Sequence, residues 1–522
     1  MLRAHGFRGQ SGSARHRRVS RGSRAPANLS RTPSEERPTA YSPPDATTHP
    51  ASANELDTRV FPPSVRRGSR CGELKFGDLR ATTLTEEFGS PLYVIDEDAA
   101  RSTARAVREA LQSEARRVGT EATVYYASKA FLCIEVARWM VDEGLAIDVA
   151  SGGELAVALA AGVDPAQIGF HGNNKSVAEI NRAVAAGVGT IIIDSELETE
   201  RIAAAASAAG VRQRVRLRVN SGVHASTHAF LATSHEDQKF GQPLDEAARL
   251  VGAILAHDSL DFVGLHCHIG SQIFATDGFR ESARRLLSVY RDLAELAGYP
   301  IPELNLGGGF GIAYTSEQAD EAPAIADIAR ELADIVAESA HAFDIAIPKL
   351  AFEPGRAVIG QSGVTLYTVG TTKTVQLEGS DAAGDPLDRG YDTRLYVSVD
   401  GGMSDNARPA LYGADYQVRI ANRISDAAPA LVRVVGKHCE SGDIVVDRDE
   451  LPGDVSPGDT LAVAATGAYC WSLSSNYNYV ARPPVVAVRG GEARIIVHGQ
   501  TEEDLLAQSV GYAAARTNGD TK

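Results

Sequence analysis

The pattern of apolar and polar residues divides the chain into a long alternating region and a region of short strands. Between residues 122 and 353, short apolar segments alternate with Ala-, Leu- and Val-rich stretches of helical spacing. Eight strands are predicted, near 122–127, 145–150, 167–171, 190–194, 213–220, 261–268, 303–306 and 349–353. This alternation predicts an α/β fold, a (β/α)8 TIM-type barrel. A doubly wound sheet also alternates, but no GxGxxG motif follows the first strand, so the barrel is favoured.

After the barrel region, apolar segments are separated by Gly, Pro and Asp turns, which is typical of an all-β domain. Strands are predicted near 365–376, 395–399, 416–420, 431–435, 444–446, 460–465 and 485–498, and also before the barrel near 74–76 and 92–95. We therefore expect a C-terminal all-β domain, sandwich- or barrel-like, joined by short N-terminal β elements. The predicted domains are the barrel at 97–356, the β domain at 71–96 plus 357–510, and a flexible tail at 511–522.

The first part of the chain is basic, whereas the remainder is acidic. Residues 1–70 contain 13 arginines, no lysine and five acidic residues, while the whole chain carries a net charge of −15. Their Arg-, Ser-, Pro- and Gly-rich composition without an apolar period predicts disorder. An organelle transit peptide has such a composition. A start codon that is extended or misplaced would give the same composition, and this is the preferred interpretation. The acidic remainder argues against nucleic-acid binding.

Hydropathy and cysteine content narrow the class of protein further. No apolar run reaches the roughly 18 residues of a transmembrane helix, so no membrane segment is expected. Five cysteines in 522 residues, with no CxxC pair, indicate neither a disulfide framework nor a zinc-finger type of site. A cytoplasmic location is therefore expected.

The first predicted barrel strand ends directly before a lysine. Residues 122–127 carry no charge, and Lys129 follows at the C-terminal end, before a predicted helix near 131–144. A lysine at such a position can be a solvated strand-end residue. It also suits Schiff-base chemistry, which needs an amine that loses its proton near neutral pH.

Other chemically active residues fall at further strand ends, where barrel enzymes place their active sites. A glycine run at 307–311 follows strand 7 and could bind an anion through its amides. Glu353 and Arg356 follow strand 8, and His268 follows strand 6. An amine, a phosphate-binding loop, a ring for stacking and a carboxylate together indicate pyridoxal 5′-phosphate (PLP). A scattered metal site with ligands from His266, His268, Asp148 and His171 is the disfavoured alternative, because no third ligand cluster such as HxxxH or DxD lies at the other strand ends, so no metal is expected.

Several motifs carry a family resemblance in the expected order. They are Tyr125-Tyr126-Ala127-Ser128-Lys129-Ala130, His268-Ile269-Gly270-Ser271-Gln272, Gly307-Gly308-Gly309-Phe310-Gly311, Glu353-Pro354-Gly355-Arg356, Asp400-Gly401-Gly402-Met403-Ser404-Asp405-Asn406, Cys439-Glu440-Ser441-Gly442-Asp443 and Gly467-Ala468-Tyr469. Over about residues 71–510 the chain resembles the alanine-racemase-fold PLP decarboxylases, and among them the diaminopimelate decarboxylase family. The resemblance implies a PLP-dependent enzyme that converts meso-2,6-diaminopimelate to L-lysine and CO2, the last step of lysine biosynthesis.

The resemblance also implies a role for each matching residue. Lys129 would form the Schiff base, His268 would stack on the cofactor ring, and Glu353 would pair with the pyridine nitrogen. The implied cofactor ligands are Lys129, His268, Ser271, Gly308, Gly309, Glu353, Gly355, Arg356 and Tyr469. The implied substrate ligands are Arg356, Arg408, Tyr412, Glu440 and Tyr469. Cys439, as catalytic acid, and Glu440 would complete the site of a neighbouring subunit, so a homodimer is implied.

Two other functions remain open from the sequence. A related PLP decarboxylase could act on ornithine, lysine, arginine or carboxynorspermidine, but Arg408 argues for a substrate with a distal carboxylate. A non-catalytic PLP-binding protein built on a lone barrel would lack the β domain. The stretch from His224 to Gly241 is long enough to form a lid over the substrate.

Overall fold

The computed structural model describes residues 53–69, 71–223, 239–377 and 391–512. The strands are β1 (Val65–Arg67), β2 (Leu74–Phe76), β3 (Leu79–Arg80), β4 (Leu92–Asp96), β5 (Ala122–Ala127), β6 (Ala146–Val149), β7 (Ile168–Phe170), β8 (Thr190–Ile193), β9 (Gln213–Asn220), β10 (Gln242–Pro243), β11 (Leu260–His266), β12 (Glu303–Asn305), β13 (Lys349–Phe352), β14 (Gly363–Gln376), β15 (Thr393–Val399), β16 (Val418–Ile420), β17 (Pro429–Val435), β18 (Ile444–Pro452), β19 (Thr460–Val463), β20 (Val485–Arg489) and β21 (Glu492–Val497). The helices are α1 (Ala81–Phe88), α2 (Glu97–Arg117), α3 (Ile134–Asp142), α4 (Gly152–Ala161), α5 (Val177–Ala186), α6 (Glu196–Ala209), α7 (Ala247–Leu255), α8 (Asp277–Ser288), α9 (Tyr290–Ala297), α10 (Ser316–Glu321), α11 (Ile325–Ala342), α12 (Arg356–Ile359), α13 (Arg408–Tyr412) and α14 (Glu502–Ala507).

Eight parallel strands form a closed barrel. Their order is β5-β6-β7-β8-β9-β11-β12-β13, and β13 pairs with β5 to close the ring. All eight predicted strands are present, and each begins and ends within two residues of its predicted bounds. The predicted TIM-type barrel is therefore confirmed, and the C-terminal ends of its strands, called here the barrel mouth, lie at one end of the ring.

Local capping sequences set where the barrel helices begin and end. At the start of α5, the Ser176 side chain accepts from the Glu179 amide while the Glu179 side chain accepts from Ser176, a capping box. The same helix ends at Gly187, whose φ of 78° is left-handed. These two caps fix both ends of α5 between β7 and β8.

A second sheet contains the C-terminal strands and one strand from before the barrel. Its order is β18-β17-β15-β14-β4-β20-β21, with β19 paired to β14 and β16 paired to β19. Strand β4 lies between β14 and β20, so the expectation that an N-terminal β element joins the C-terminal β region is confirmed. The predicted strand at 485–498 is a hairpin, because Gly490 and Gly491 both adopt positive φ between β20 and β21. The residue bounds of the two domains stay a prediction.

Part of the segment predicted to be disordered belongs to the fold. Within residues 53–69, Val60 and Phe61 are buried, and β1 pairs with β2. The prediction of disorder is wrong there, because a few apolar residues without a period can still be covered by another part of the chain. Residues 1–52 and 70, most of the predicted lid and the end of the predicted tail lie outside the described residues. Within the described ranges, no helix is long and apolar enough to cross a membrane.

A fully buried ion pair holds the loop after β7. The Lys175 ammonium lies 3.0 Å from both carboxylate oxygens of Glu198 and donates to the carbonyl oxygens of Gly172 (2.8 Å) and Ile192 (2.6 Å). Burial lowers the pKa of Lys175, and Glu198 opposes that shift. The pair therefore joins the loop after β7 to the first turn of α6, the helix that follows β8.

Removing one member of this pair should destabilise the protein strongly. We expect Lys175→Met to lower the free energy of unfolding by about 3–5 kcal/mol, because it leaves the Glu198 carboxylate buried and unpaired. The double variant Lys175→Met/Glu198→Leu should recover most of that loss. The measurement is urea denaturation, and the control is Arg249→Met at the exposed pair with Glu196, expected to cost under about 1 kcal/mol. A loss at Lys175 as small as that of the control would contradict the prediction.

A buried carboxyl group in the β region is expected to make stability depend on pH. Asp405 follows β15, accepts from the Gly402 amide (2.8 Å) and the Tyr367 hydroxyl, and is 1% exposed. Burial raises the pKa of Asp405 to about 7. The unfolded chain has a lower carboxyl pKa, about 3.9, so the folded state holds a proton that the unfolded state has lost. The stabilising effect of that proton is lost as the pH rises through 7.

We expect this group to lower the free energy of unfolding by about 1.4 kcal/mol between pH 6 and pH 8. The variant Asp405→Asn should lack this contribution, so its stability relative to the unsubstituted protein should rise over the same range. Urea denaturation at several pH values measures the difference. Asp245→Asn, at an exposed position, is the control. Parallel pH curves for the unsubstituted protein and Asp405→Asn would contradict the prediction.

Candidate active site

Lys129 lies at the barrel mouth, two residues after the end of β5. The strand is followed by a tight turn in which the Ser128 amide donates to the Asp148 carbonyl (3.0 Å) and the Ala130 amide to the Ala127 carbonyl (3.1 Å). The loop after β13 packs closely here, since a Cβ on Gly355 would lie 2.8 Å from the Ala127 carbonyl oxygen. Lys129 itself is exposed, so its amine is accessible to a ligand.

The C-terminal sheet also contributes to the mouth. After β19 the chain returns to the barrel, where the Tyr469 amide (2.8 Å) and the Ser472 hydroxyl (3.1 Å) both donate to the Ala130 carbonyl. Tyr469 has a φ of 63°, the left-handed region that a tyrosine rarely adopts. The site is therefore built from both the barrel and the β region.

Glu353 is a buried carboxylate surrounded by hydrogen-bond donors. His171 Nε2 lies 3.1 Å from Oε1, His266 Nε2 lies 3.2 Å from Oε2, and Asn305 Nδ2 donates to Oε1 (2.7 Å). A carboxylate offers about four acceptor positions. One position on Oε2 therefore remains for a further donor, such as the N–H of a protonated heterocycle.

The electrostatics of this cluster keep Glu353 ionised. Burial alone would raise its pKa, but the two imidazoles lower the pKa of Glu353 well below its usual value. Burial lowers the pKa of His266 and lowers that of His171 to about 3, so both rings are neutral and donate N–H. Burial and the Glu353 charge raise the pKa of Asp148 well above its usual value, and its Oδ1 lies 3.1 Å from His171 Nε2.

His268 and the glycine run lie beside this carboxylate. The Gly308 amide donates to His268 Nδ1 (3.3 Å), so the ring proton is on Nε2. Burial, with the nearby Lys129 ammonium, holds the pKa of His268 well below its usual value. Gly307 and Gly309 have positive φ, and a Cβ on Gly309 would lie 2.5 Å from the Gly270 carbonyl oxygen. Within the described part of the chain, the Gly309 amide has no acceptor, so it is available to an anion.

Arg356 and Ser271 are in direct contact at the barrel mouth. Arg356 Nη2 donates to the Ser271 hydroxyl (2.8 Å), and its guanidinium lies 4.7 Å from the centre of the Tyr469 ring. No carboxylate in the described ranges pairs with Arg356. A cation, a hydroxyl and the amide of Gly309 form a donor set suited to a phosphate group.

Arg408 is buried without a carboxylate partner among the residues that the structure describes. Its Nη1 donates to the Tyr416 hydroxyl (2.5 Å), and its guanidinium lies 4.4 Å from the centre of the Tyr314 ring. The Tyr314 hydroxyl also accepts from Arg356, which joins this group to the mouth. Tyr412, by contrast, is 69% exposed on α13 and makes no described contact with the cluster.

Cys439 and Glu440 lie on the protein surface, in the loop after β17. Both are exposed; the Cys439 amide donates to Asn478 Oδ1 (3.2 Å), and Glu440 accepts from the Gly442 amide (3.3 Å). No contact in the described residues joins either side chain to Lys129. The contacts described for these two residues therefore do not place them at the barrel mouth of their own chain.

Several neighbours of the predicted residues had no role assigned from the sequence. Asp148 and His171 are predicted only as strand-end residues and alternative metal ligands, with no role toward PLP, whereas Asn305, Tyr314 and Tyr416 are not predicted as site residues. The position of Asn305 at the end of β12 was the available signal, because a polar residue ending a buried strand faces the mouth. The ligand atoms of His171, His266 and Glu353 lie within 4.8 Å of one another, a spacing that a metal ion could also use.

The residues present fit PLP. They include an accessible amine at Lys129, an ionised carboxylate with one acceptor position at Glu353, a neutral imidazole at His268, and a donor set for a phosphate around Arg356. These match the aldehyde, the ring nitrogen, the ring face and the phosphate of the cofactor in chemical type.

Comparison with known proteins agrees with this chemistry. A family described as "Pyridoxal-dependent decarboxylase, pyridoxal binding domain" matches residues 104–360. The chain is similar to the diaminopimelate decarboxylase of Mycobacterium tuberculosis strain H37Rv, with 48% identity over 87% of this chain and 98% of that protein. It is also similar to that of Bacillus subtilis strain 168, with 39% identity over 86% of this chain and 97% of that protein.

A solved structure shows the same architecture. The diaminopimelate decarboxylase of M. jannaschii in co-complex with L-lysine has 30% identity and a TM-score of 0.75, over 85% of this chain and 97% of that one. Identity of 48% over nearly the full length of a relative, together with the matching fold, establishes the family. The chain belongs to the diaminopimelate decarboxylase family of pyridoxal-dependent decarboxylases.

Proposed function

We propose that this enzyme decarboxylates meso-2,6-diaminopimelate to L-lysine and CO2, the last step of lysine biosynthesis, with PLP as its cofactor. When bound, PLP supplies an electron sink for the electrons that the departing carboxylate leaves behind. The observation that carries the substrate proposal is the pair Arg356 and Arg408, two guanidinium groups with no carboxylate partner among the described residues. Such a pair suits a substrate that keeps a second carboxylate after it has lost the first.

On the cofactor side, each group of residues has a separate task. Lys129 would hold the aldehyde carbon, His268 would lie against the ring, and ionised Glu353 would accept the ring N–H and keep the ring positively charged. The residues that would hold the phosphate are Ser271, Gly308, Gly309, Gly355, Arg356 and Tyr469. The neutral His171 and His266 act on Glu353, since their N–H groups keep that carboxylate ionised.

On the substrate side, the distal end carries one carboxylate and one ammonium group. Arg408, with Arg356, would bind the carboxylate, and Glu440 would bind the ammonium, with Tyr412 and Tyr469 also contacting the substrate. Binding the distal end orients the substrate so that its other carboxylate is the one that leaves. Ornithine has no distal carboxylate, so it would leave the buried Arg408 uncompensated, which disfavours its binding.

We also propose that the enzyme works as a homodimer with shared sites. Cys439 and Glu440 are exposed, and so are the nearby Tyr477 (41%) and Tyr479 (73%). Exposed aromatic side chains beside functional residues are typical of an interface. In the dimer, Cys439 would deliver a proton to the carbon that loses its carboxylate in the partner's site. A cytoplasmic location is proposed as well, because all five cysteines are free thiols.

The first test is CO2 release by the purified, PLP-loaded protein from meso-diaminopimelate, ornithine, lysine, arginine and carboxynorspermidine, supplied separately. We expect release from meso-diaminopimelate only, because the other substrates lack the distal carboxylate paired with an ammonium group at the second centre. Lys129→Ala should reduce release to background, whereas Lys373→Ala, at an exposed position of β14, should not. Release from another amine would contradict the substrate, and PLP binding without any release would favour a carrier.

The second test is subunit complementation. Lys129→Ala and Cys439→Ser should each be nearly inactive alone, but mixed dimers should recover up to about a quarter of the unsubstituted activity, since half of the dimers contain one intact site. Mixing Lys129→Ala with Glu353→Gln is the matched control and should recover nothing, because both residues belong to the same chain's half of a site. If Cys439→Ser also fails to complement, the shared-site dimer is wrong.

A further inference from the structure

Tyr314 lies between the two guanidinium groups at the barrel mouth. It is 2% exposed, in the loop that follows the glycine run. The Arg408 guanidinium is 4.4 Å from its ring centre, and the Arg356 guanidinium is 5.7 Å away. The Tyr314 hydroxyl accepts a hydrogen bond from Arg356 Nη1. Among the described side chains, Tyr314 alone has its ring near both guanidinium groups, and its hydroxyl also accepts a hydrogen bond from Arg356.

The aromatic ring explains how Arg408 can be buried without an anion. A cation over an aromatic face is stabilised by the ring quadrupole, most strongly where water is excluded. The Tyr416 ring packs edge-on to Tyr314, with centres 5.2 Å apart, and its hydroxyl accepts from Arg408 Nη1. The two tyrosines thus hold the guanidinium in place, and among the described residues only one of its five N–H donors is used, which leaves the others for a ligand.

The hydroxyl of Tyr314 has a donor that nothing in the described chain uses. A phenol both accepts and donates. The oxygen accepts from Arg356, but no described residue accepts the Tyr314 O–H proton. Beside two arginines without carboxylate partners, an unused O–H is a third donor for the same anion.

We propose that Tyr314 is a positioning and specificity-determining residue that aligns Arg356 and Arg408 as one carboxylate-binding subsite and donates its O–H to that carboxylate. This inference rests on the proposed function, because the carboxylate is the one that substrate and product both keep at the distal centre. The ring sets the distance between the two cations, and the hydroxyl orients Arg356. Ligands that lack this carboxylate do not contact the subsite, so their affinity does not depend on Tyr314.

The test compares two ligands that differ in the carboxylate alone. L-Lysine retains the distal carboxylate, whereas 1,5-diaminopentane has the same amines without it. Binding of each to the PLP-loaded protein is measured by isothermal titration for the unsubstituted protein and for Tyr314→Phe, which keeps the ring and removes the hydroxyl. We expect L-lysine to bind about tenfold more weakly to Tyr314→Phe, the effect of losing a hydrogen bond to a charged group, with 1,5-diaminopentane unchanged. KM for meso-diaminopimelate should rise by a similar factor, with kcat changed less than about threefold.

The control is Tyr299→Phe, which removes a half-buried hydroxyl that donates to the Phe262 carbonyl (2.9 Å) away from the mouth. It should leave both ligand affinities unchanged. The inference is overturned if Tyr314→Phe binds L-lysine as the unsubstituted protein does, or if it loses affinity for both ligands equally. Failure of the proposed function is seen separately, as absence of CO2 release from meso-diaminopimelate by the unsubstituted protein.

Discussion

Closure of the barrel between β13 and β5 is the constraint on which the site depends. Leu350 pairs with Ala122 and Phe352 with Val124, so the last and first barrel strands run side by side to the mouth. Beyond the paired residues, the Ala127 amide donates to the Pro354 carbonyl (3.3 Å). Lys129 and Glu353 are far apart in sequence, yet they leave adjoining strands at the same end of the ring. An open sheet with the same strands would place them at opposite edges.

Within the mouth, the charges are arranged by burial and by hydrogen bonding. Glu353 stays ionised because two neutral imidazoles donate to it, whereas burial and the Glu353 charge raise the pKa of Asp148, 3.1 Å from His171. Arg408 stays buried because aromatic faces and one phenol oxygen replace an anion. Glu353 thus keeps one acceptor position for a protonated ring. Arg356 and Arg408, which have no carboxylate partner among the described residues, keep N–H donors for an anionic substrate.

The second sheet positions the substrate side of this arrangement. Strand β4 comes before the barrel in the chain, and its partners β14 and β20 come after it. One sheet therefore contains the strands that flank the barrel in sequence. The chain after β19 then reaches Ala130 through Tyr469, and the segment after β15 carries Arg408 to the ring of Tyr314. The barrel and the β region are separate sheets that share one site, and neither alone has a complete set of the predicted residues.

The apolar alternation alone predicted the barrel, because each strand and helix follows from its local pattern. It also predicted that Lys129, the glycine run and Glu353 share a site, because a parallel barrel brings all its strand ends to one side. Residues whose role depends on distant partners could not be predicted this way. The burial of Val60 and Phe61, the donors around Glu353 and the place of Tyr314 between two arginines follow from packing of segments far apart in the chain. Cys439 and Glu440 lie on the surface of one chain for the same reason. A local motif specifies which residues follow one another, whereas the tertiary structure decides which surface they face.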